Sequence, residues 1–362
     1  MTSRRPRARD LGIVIGDGRP GRWNAITDVP GVRVGHRSVD DGAGVHTGVT
    51  VIQPREGNVA AEPVFAGLHR LNGFGELTGS WWIEESGLLT SPIAITNTYS
   101  VGVVRDALIA YSLRQDPTSP WDLPVVGETS DSRLNDIAAM RVTPEHVNDA
   151  LEQVRAGRVA EGSVGGGTGM ICHGFKGGIG TASRQLDERD GGWTIGVLVQ
   201  ANHGVRERLR VNAVPVGAII DRDAVPVPGS SPAARQGSII SIVATDAPLS
   251  PRQCERLAQR SALGVARTGG AGEDSSGDLF LAFATGNRGL AADDPLHQIR
   301  MLDGRRMDPM SYAAIDATEE AIINALLAAE TMTGYLGNTA HALPHASLLT
   351  AMGMGHPPQE RW

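Results

Sequence analysis

Gly237-Ser238-Ile239-Ile240-Ser241-Ile242-Val243-Ala244-Thr245 is the stretch on which the reading of this chain turns. A turn-rich approach, Pro226-Val227-Pro228-Gly229-Ser230-Ser231-Pro232-Ala233-Ala234-Arg235-Gln236, runs directly into a β-branched strand whose first residue carries a hydroxyl. Strands seldom need serine there, whereas a nucleophile at a newly made N-terminus does. If the Gly237–Ser238 bond were cut, Ser238 would hold its hydroxyl and a free α-amine on one residue. Such an amine, with an ordinary pKa near ~8, is a base already in place beside the hydroxyl. The plainer alternative is a loop followed by a core strand with an incidental Gly-Ser. These residues alone leave both open.

The surrounding chain sets bounds. Its 362 residues carry a formal net charge of -7, with 41% hydrophobic and 20% charged residues, a globular composition with ample material for a core. The acidic balance argues against nucleic acid as a partner. The basic start, Met1 to Arg9, is followed only by Leu11 to Ile15, short of the roughly 7–15 apolar residues of a secretory signal. No run approaches the ~18 apolar residues of a membrane span, so a cytoplasmic protein with no membrane partner is expected. Cys172 and Cys254 lack CxxC spacing, and Pro344 interrupts the helical spacing of His341 and His345, so neither pair predicts a metal site. Glycine, at 46 residues, is about twice its usual share and points to close backbone packing in a layered fold.

Buried strands are predicted at 92–96, 193–200, 239–243 and 279–283. Helices are predicted after Thr143-Pro144, after Ser250-Pro251-Arg252-Gln253 with its capping box, and after Asp316-Ala317-Thr318-Glu319. No internal repeat or linker between self-sufficient halves is visible. The mixture predicts an α+β fold of facing sheets covered by helices.

Three polar groups fall at strand ends. Asn202 follows an apolar run and could donate to an oxyanion, or serve only as a turn residue before Gly204. Ser276 and Asp278 open a strand with two-residue spacing, a carboxylate and a hydroxyl on one face, or simply an Asp/Ser/Gly turn. Glu128 closes Val125-Val126-Gly127 and could pair with a substrate ammonium, or lie solvated in a loop. Gly165 to Met170 lacks both the GK[ST] ending and the GxGxxG fingerprint of nucleotide loops, which leaves close backbone approach or an anion-holding turn.

Taken in order, Glu128, Asn202, Gly237-Ser238 and Ser276-Gly277-Asp278 resemble the DmpA-type aminopeptidase family, which includes the β-peptidyl aminopeptidases. Asn24 to His36, Trp82 to Leu89, Ile93 to Thr98, Val164 to Met170 and Gly237 to Leu249 are similar to its blocks, so the resemblance covers roughly 22 to 350. It implies an αββα four-layer sandwich like that of N-terminal nucleophile hydrolases, with different connectivity. It implies one domain over 1–362, self-cleaved into an α chain, 1–237, and a β chain, 238–362. Ser238 is then the nucleophile, Asn202 part of the oxyanion hole, Ser276 and Asp278 the network that orients the new amine, and Glu128 the acceptor of the substrate's free amine. Small peptides, amides or esters with a free amine are the implied substrates, no metal or organic cofactor is required, and tetramers of α/β pairs are the implied assembly. Where the D-amide-hydrolysing member has a tyrosine two residues beyond the glutamate, this chain has Ser130. An acyltransferase of the ornithine-acetyltransferase type, which needs a second acceptor site, and a catalytically silent binding module are the competing expectations.

Overall fold

The computed structural model describes residues 5–118, 123–228, 237–291 and 295–355. Most of the approach to Ser238, residues 229–236, and the first four residues of the basic start lie outside them. The first half of the chain forms β1 (Arg33–Asp40), β2 (His46–Gln53), β3 (Val64–Gly73), α1 (Ser80–Ser86), β4 (Leu88–Leu89), β5 (Ile93–Thr96), α2 (Val101–Gln115), β6 (Val125–Glu128) and α3 (Pro144–Glu152). The second half forms β7 (Ile171–Cys172), β8 (Phe175–Lys176), β9 (Gly178–Gln185), β10 (Thr194–Asn202), α4 (Val216–Ile219), β11 (Ser238–Thr245) and α5 (Pro251–Arg267). It ends with β12 (Gly277–Ala284), α6 (Met307–Ala328), β13 (Met332–Thr333), β14 (Thr339–Ala340) and α7 (His345–Ala351).

Alternation along β11 explains the layering. Ile239 and Val243 pack on one side with Leu257 and Val265 of α5 and Ile322 and Leu326 of α6. Ile240, Ile242 and Ala244 pack on the other with Ile52, Ile93, Ile95 and Val125 of a second sheet. Both faces of β11 are therefore apolar and all eight of its residues are buried, as a strand inside a sandwich requires. That second sheet has the order β1-β2-β5-β6, and its far face packs against Val104, Leu108, Val147 and Leu151 of α2 and α3. The larger sheet has the order β4-β3-β12-β11-β10-β9. The result is the expected four layers, helices outside and two sheets within. Each fully buried Ile, Leu or Phe contributes about 1.5–3 kcal/mol, so the three apolar clusters dominate what holds the layers together.

Two parallel contacts shape the sheets. β11 pairs in parallel with β12 and β5 with β6. A parallel pair cannot be joined by a tight turn, and the crossings are made by α5 and α2, which thereby cover the outer faces. Helix α5 begins where the sequence predicted: the Gln253 amide donates to Ser250 Oγ (3.3 Å) and the Ser250 amide donates to Gln253 Oε1 (3.1 Å). Helix α3 likewise follows Thr143, with Pro144 as its first residue.

One helix start is corrected. Asp316 does not open the third helix, which begins at Met307. Pro309 suits the first turn, and Met310, Ala313, Ala314 and Ile315 extend the buried face back past Asp316. Asp316 instead pairs with Arg267 of α5. The glycine run behaves as close packing predicts. A Cβ on Gly166 would meet the Ile95 carbonyl at 2.6 Å, and one on Gly167 would meet the Ile179 amide at 2.4 Å. Among the described residues, no helix is long and apolar enough to cross a membrane.

Candidate active site

The polar groups singled out at strand ends converge at one end of the larger sheet. β10 runs two residues beyond Gln200, so that Asn202 and Ser238 form the last antiparallel pair of β10 and β11. Asn202 is therefore a strand residue and not a turn residue. By the period of two, Ser238 lies on the same side as Ile240 and Ile242, and Asn202 on the same side as Leu198, which is the space between the sheets. Ser238 Oγ accepts a hydrogen bond from the Gly277 amide (2.9 Å), across the parallel pairing with β12.

The Asn202 amide is held at both ends. Its Oδ1 accepts from the Ile171 amide (2.8 Å), and its Nδ2 donates to the Ser130 carbonyl (3.0 Å). That fixes which end is NH₂, and an NH₂ has a second proton to give. Gly237 is required by proximity. A Cβ there would sit 2.1 Å from the Asn202 carbonyl oxygen and 3.0 Å from the His203 Cα.

Ser276 and Asp278 do meet. Ser276 Oγ lies 2.8 Å from Asp278 Oδ2 and 2.8 Å from the Glu273 carbonyl, its one proton serving either acceptor, while Asn72 Nδ2 donates to it from 3.0 Å. Asp278 is register partner of Ile239, the residue after Ser238. Burial pushes its carboxyl up to about 6, against the pull of the Ser276 hydroxyl. The Ile239 backbone N–H, next to Ser238, also favours its ionised form.

Glu128 ends β6, opposite Thr96 of β5, and is only 3% exposed. Its Oε1 accepts from the Glu76 amide (3.0 Å) and its Oε2 from the Thr98 hydroxyl. Burial holds the carboxyl above its ordinary range, with those two hydrogen bonds opposing. Glu128, Asn202 and Ser238 line one cavity of about 750 Å³, together with Phe74, Tyr99 and Ser130. A buried carboxyl at one wall and a hydroxyl beside an amide donor at another suit a small acyl compound that carries a free amine.

Sequence reasoning missed Lys176. It is the sole lysine of the chain, all 32 other basic residues being arginine. Fully buried, its Nζ donates to the carbonyls of Met170 and Gly177 (both 2.9 Å) and Gly167 (3.3 Å). Burial lowers its pKa to about 7, with Asp131 opposing. The ammonium thus braces the segment whose Ile171 amide holds Asn202. Its solitude in an arginine-only background was the available signal.

The pattern of Peptidase family S58 matches residues 24–340. Beta-peptidyl aminopeptidase BapA of Sphingosinicella microcystinivorans is 46% identical over 361 residues, covering 95% of this chain and 91% of that protein. Among solved structures, a Burkholderia sp. beta-aminopeptidase superposes with a TM-score of 0.91 at 53% identity, covering 96% of this chain and 98% of that one. The L-aminopeptidase D-Ala-esterase/amidase of Ochrobactrum anthropi gives 0.89 at 40% identity, covering 97% and 100%. That enzyme is described as a prototype for the serine aminopeptidases and a new variant among the Ntn hydrolase fold. With the four layers, the match along most of the chain and relatives of this similarity, the chain belongs to peptidase family S58, a family of hydrolases with aminopeptidases among its members.

Proposed function

We propose that this protein is a self-processing aminopeptidase whose nucleophile is Ser238, made by cleavage of its own Gly237–Ser238 bond. The observation that carries the reading is the Asn202–Ser238 pair, opening onto a cavity that also holds the buried Glu128. In maturation, Ser238 Oγ attacks the Gly237 carbonyl carbon and the peptide C–N bond breaks as the C–O bond forms. That shift frees the Ser238 α-amine, which takes up the hydroxyl proton, and water then hydrolyses the ester to restore the Ser238 hydroxyl, leaving chains 1–237 and 238–362 of a single domain.

In turnover, Ser238 Oγ attacks the substrate carbonyl and its proton passes to the Ser238 α-amine, then to the departing amine. Asn202 Nδ2, with a backbone N–H, stabilises the oxyanion, and water hydrolyses the acyl-enzyme. The Asp278 carboxylate, register partner of the residue after Ser238, is the acceptor for the new α-amine, with Ser276 holding one of its oxygens. Because the base is covalently part of the nucleophilic residue, the chemistry calls for no metal or organic cofactor.

The substrate's free amine pairs with Glu128. N-terminal β-amino acid residues are the proposed first choice, supported by the names of the BapA and Burkholderia relatives. The enzyme is read as cytoplasmic and as a homo-oligomer of α/β pairs, a tetramer by family resemblance. Mass analysis of purified protein tests the core of this reading. Two chains are expected, the smaller beginning Ser-Ile-Ile, with Ser238→Ala remaining whole. Cleavage of Ser238→Ala at the same bond would assign the cut to another protease and sink the mechanism. A matured enzyme that hydrolyses L-alanyl nitroanilide faster than its β-homoalanyl counterpart would overturn the substrate class alone.

A further inference from the structure

Beneath Asn202, the reaction proposed above leaves one cluster of chemistry-bearing side chains unused. Cys172 ends β7, and His173 follows it in the left-handed conformation (φ 49°), a region histidine visits more readily than most residues. The His173 amide donates to the His203 carbonyl (2.7 Å), which fixes this turn. The turn lays a thiol and an imidazole beside the ring of His203, the residue after Asn202. One ligand atom from each of the three side chains lies within 4.8 Å of the others. Cys172 Sγ is 3.9 Å from His203 Nδ1, and the two imidazoles meet edge to face with centroids 5.1 Å apart. All three residues are buried.

The proton inventory leaves lone pairs over. His173 Nδ1 lies 3.1 Å from the Val205 carbonyl, which can only accept, so Nδ1 carries the ring proton and Nε2 a lone pair. Neither that Nε2 nor the Nε2 of His203 has a hydrogen-bond partner among the described residues. Two buried ring nitrogens without partners, on imidazoles packed beside a thiol, call for an explanation.

We propose that Cys172, His173 and His203 form a three-coordinate site for Cu⁺, whose occupancy inhibits the enzyme through His203. A thiolate with two imidazoles is a ligand set for thiophilic metals. Metal–ligand bonds of about 2.0–2.3 Å place ligand atoms roughly 3.5 Å apart, so side chains whose ligand atoms lie within 4.8 Å of one another draw together on binding. Charge selects the monovalent ion. Binding replaces the S–H bond with S–Cu, releases one proton, and transfers no electron, leaving a neutral thiolate–Cu⁺ unit. A divalent ion would leave a buried net charge of +1 within reach of Lys176 and Arg206, whose fields act on Cys172 and His173. His203, Val205 and Gly174 also line the active-site cavity, which supplies the route in. Once tied to copper, His203 constrains the neighbouring Asn202.

The test is competition for Cu⁺ between the purified full chain and bathocuproine disulfonate, under anaerobic conditions with ascorbate. Wild type and Cys254→Ala should each retain one Cu⁺ per chain. Cys172→Ser and His173→Asn, verified as folded by circular dichroism, should bind at least the roughly 10–100-fold more weakly that loss of even an outer-shell partner causes. Wild-type turnover should fall in step with occupancy, while Cys172→Ser should be insensitive. Failure of wild type to retain copper, or retention by Cys172→Ser, would overturn the site. Equal affinity for Zn²⁺ would overturn its preference for a monovalent ion. The inhibitory part rests on Asn202 serving the reaction, so binding without inhibition would remove that part and leave the site standing.

Discussion

A methyl group on Gly237 would stand 2.1 Å from the carbonyl oxygen of Asn202. The two residues are thus coupled by shape before any chemistry begins. Gly237→Ala must push the scissile carbonyl away from β10, and a displacement of about 1 Å costs on the order of 10²-fold in rate. The variant should accumulate as an intact chain that matures slowly, followed by gel densitometry. Wild-type fragments should differ by about twofold in mass, being 237 and 125 residues of the 362. Maturation at the wild-type rate would mean that the bond is cut in some other backbone geometry.

Asn202→Ala removes one proposed oxyanion donor. kcat should fall by ~10²–10³ with little change in KM. Only the cleaved fraction should be assayed, since slow maturation imitates the defect. A rise in KM at constant kcat would reassign Asn202 to ground-state binding.

Glu128→Gln tests amine recognition. A substrate ammonium that loses its desolvated partner forfeits ~2–5 kcal/mol, so kcat/KM for free-amine substrates should fall steeply. N-acetylated analogues should stay poor or improve slightly. Equal losses on both would make Glu128 a structural residue. Because burial raises the Glu128 carboxyl, wild-type activity should fall as the pH is lowered, at a higher pH than an ordinary glutamate would set.

Asp278 gives a prediction whose sign depends on maturation. In the uncleaved fold its pKa is about 6, above the 3.8 of a free aspartate. The folded state therefore binds the proton more tightly, and ionisation weakens the fold above pH 6 by up to about 3 kcal/mol. In a Ser238→Ala background, Asp278→Asn should raise Tm at pH 8. The gain should shrink as pH falls through about 6 and vanish below about 4. In matured enzyme, where an ammonium is expected beside the carboxylate, the same substitution should instead lower Tm at pH 8. Thermal melts across this range on both forms check the prediction. A gain of equal size in both would remove the amine from the Asp278 site.

Lys176→Gln should lower kcat more than it raises KM, because the ammonium holds the 167–171 segment and not the substrate. Lys176→Arg should rescue poorly, since a guanidinium cannot place one compact donor among three carbonyls. If Lys176→Gln raised KM alone, the bracing role would be wrong.

The layers were legible because strands such as Ile239–Val243 and Leu279–Phe283 are apolar on both faces, which a buried sandwich strand must be. Helix α6 was legible in its apolar half and misread at its start, because Asp316-Ala317-Thr318-Glu319 imitates a capping sequence. Its true beginning depends on Met310 and Ala314 finding a core that the local pattern does not contain. At the site, Ser238 and Asp278 could be singled out from local composition. Their alignment with Asn202 rests on the β10–β11 and β11–β12 registers, which pair Asn202 with Ser238, 36 positions on, and Ile239 with Asp278, 39 positions on. The His173–His203 pairing was hidden for the same reason, and Cys172 read alone gave no sign of it.

The burial of Lys176 has a practical consequence. With no other lysine in the chain, the folded protein presents to acylating reagents only the amines at its polypeptide ends. The proposed cleavage would turn one such end into two. An N-hydroxysuccinimide tag applied under native conditions becomes a counter, in which the second label marks the serine that has become an N-terminus.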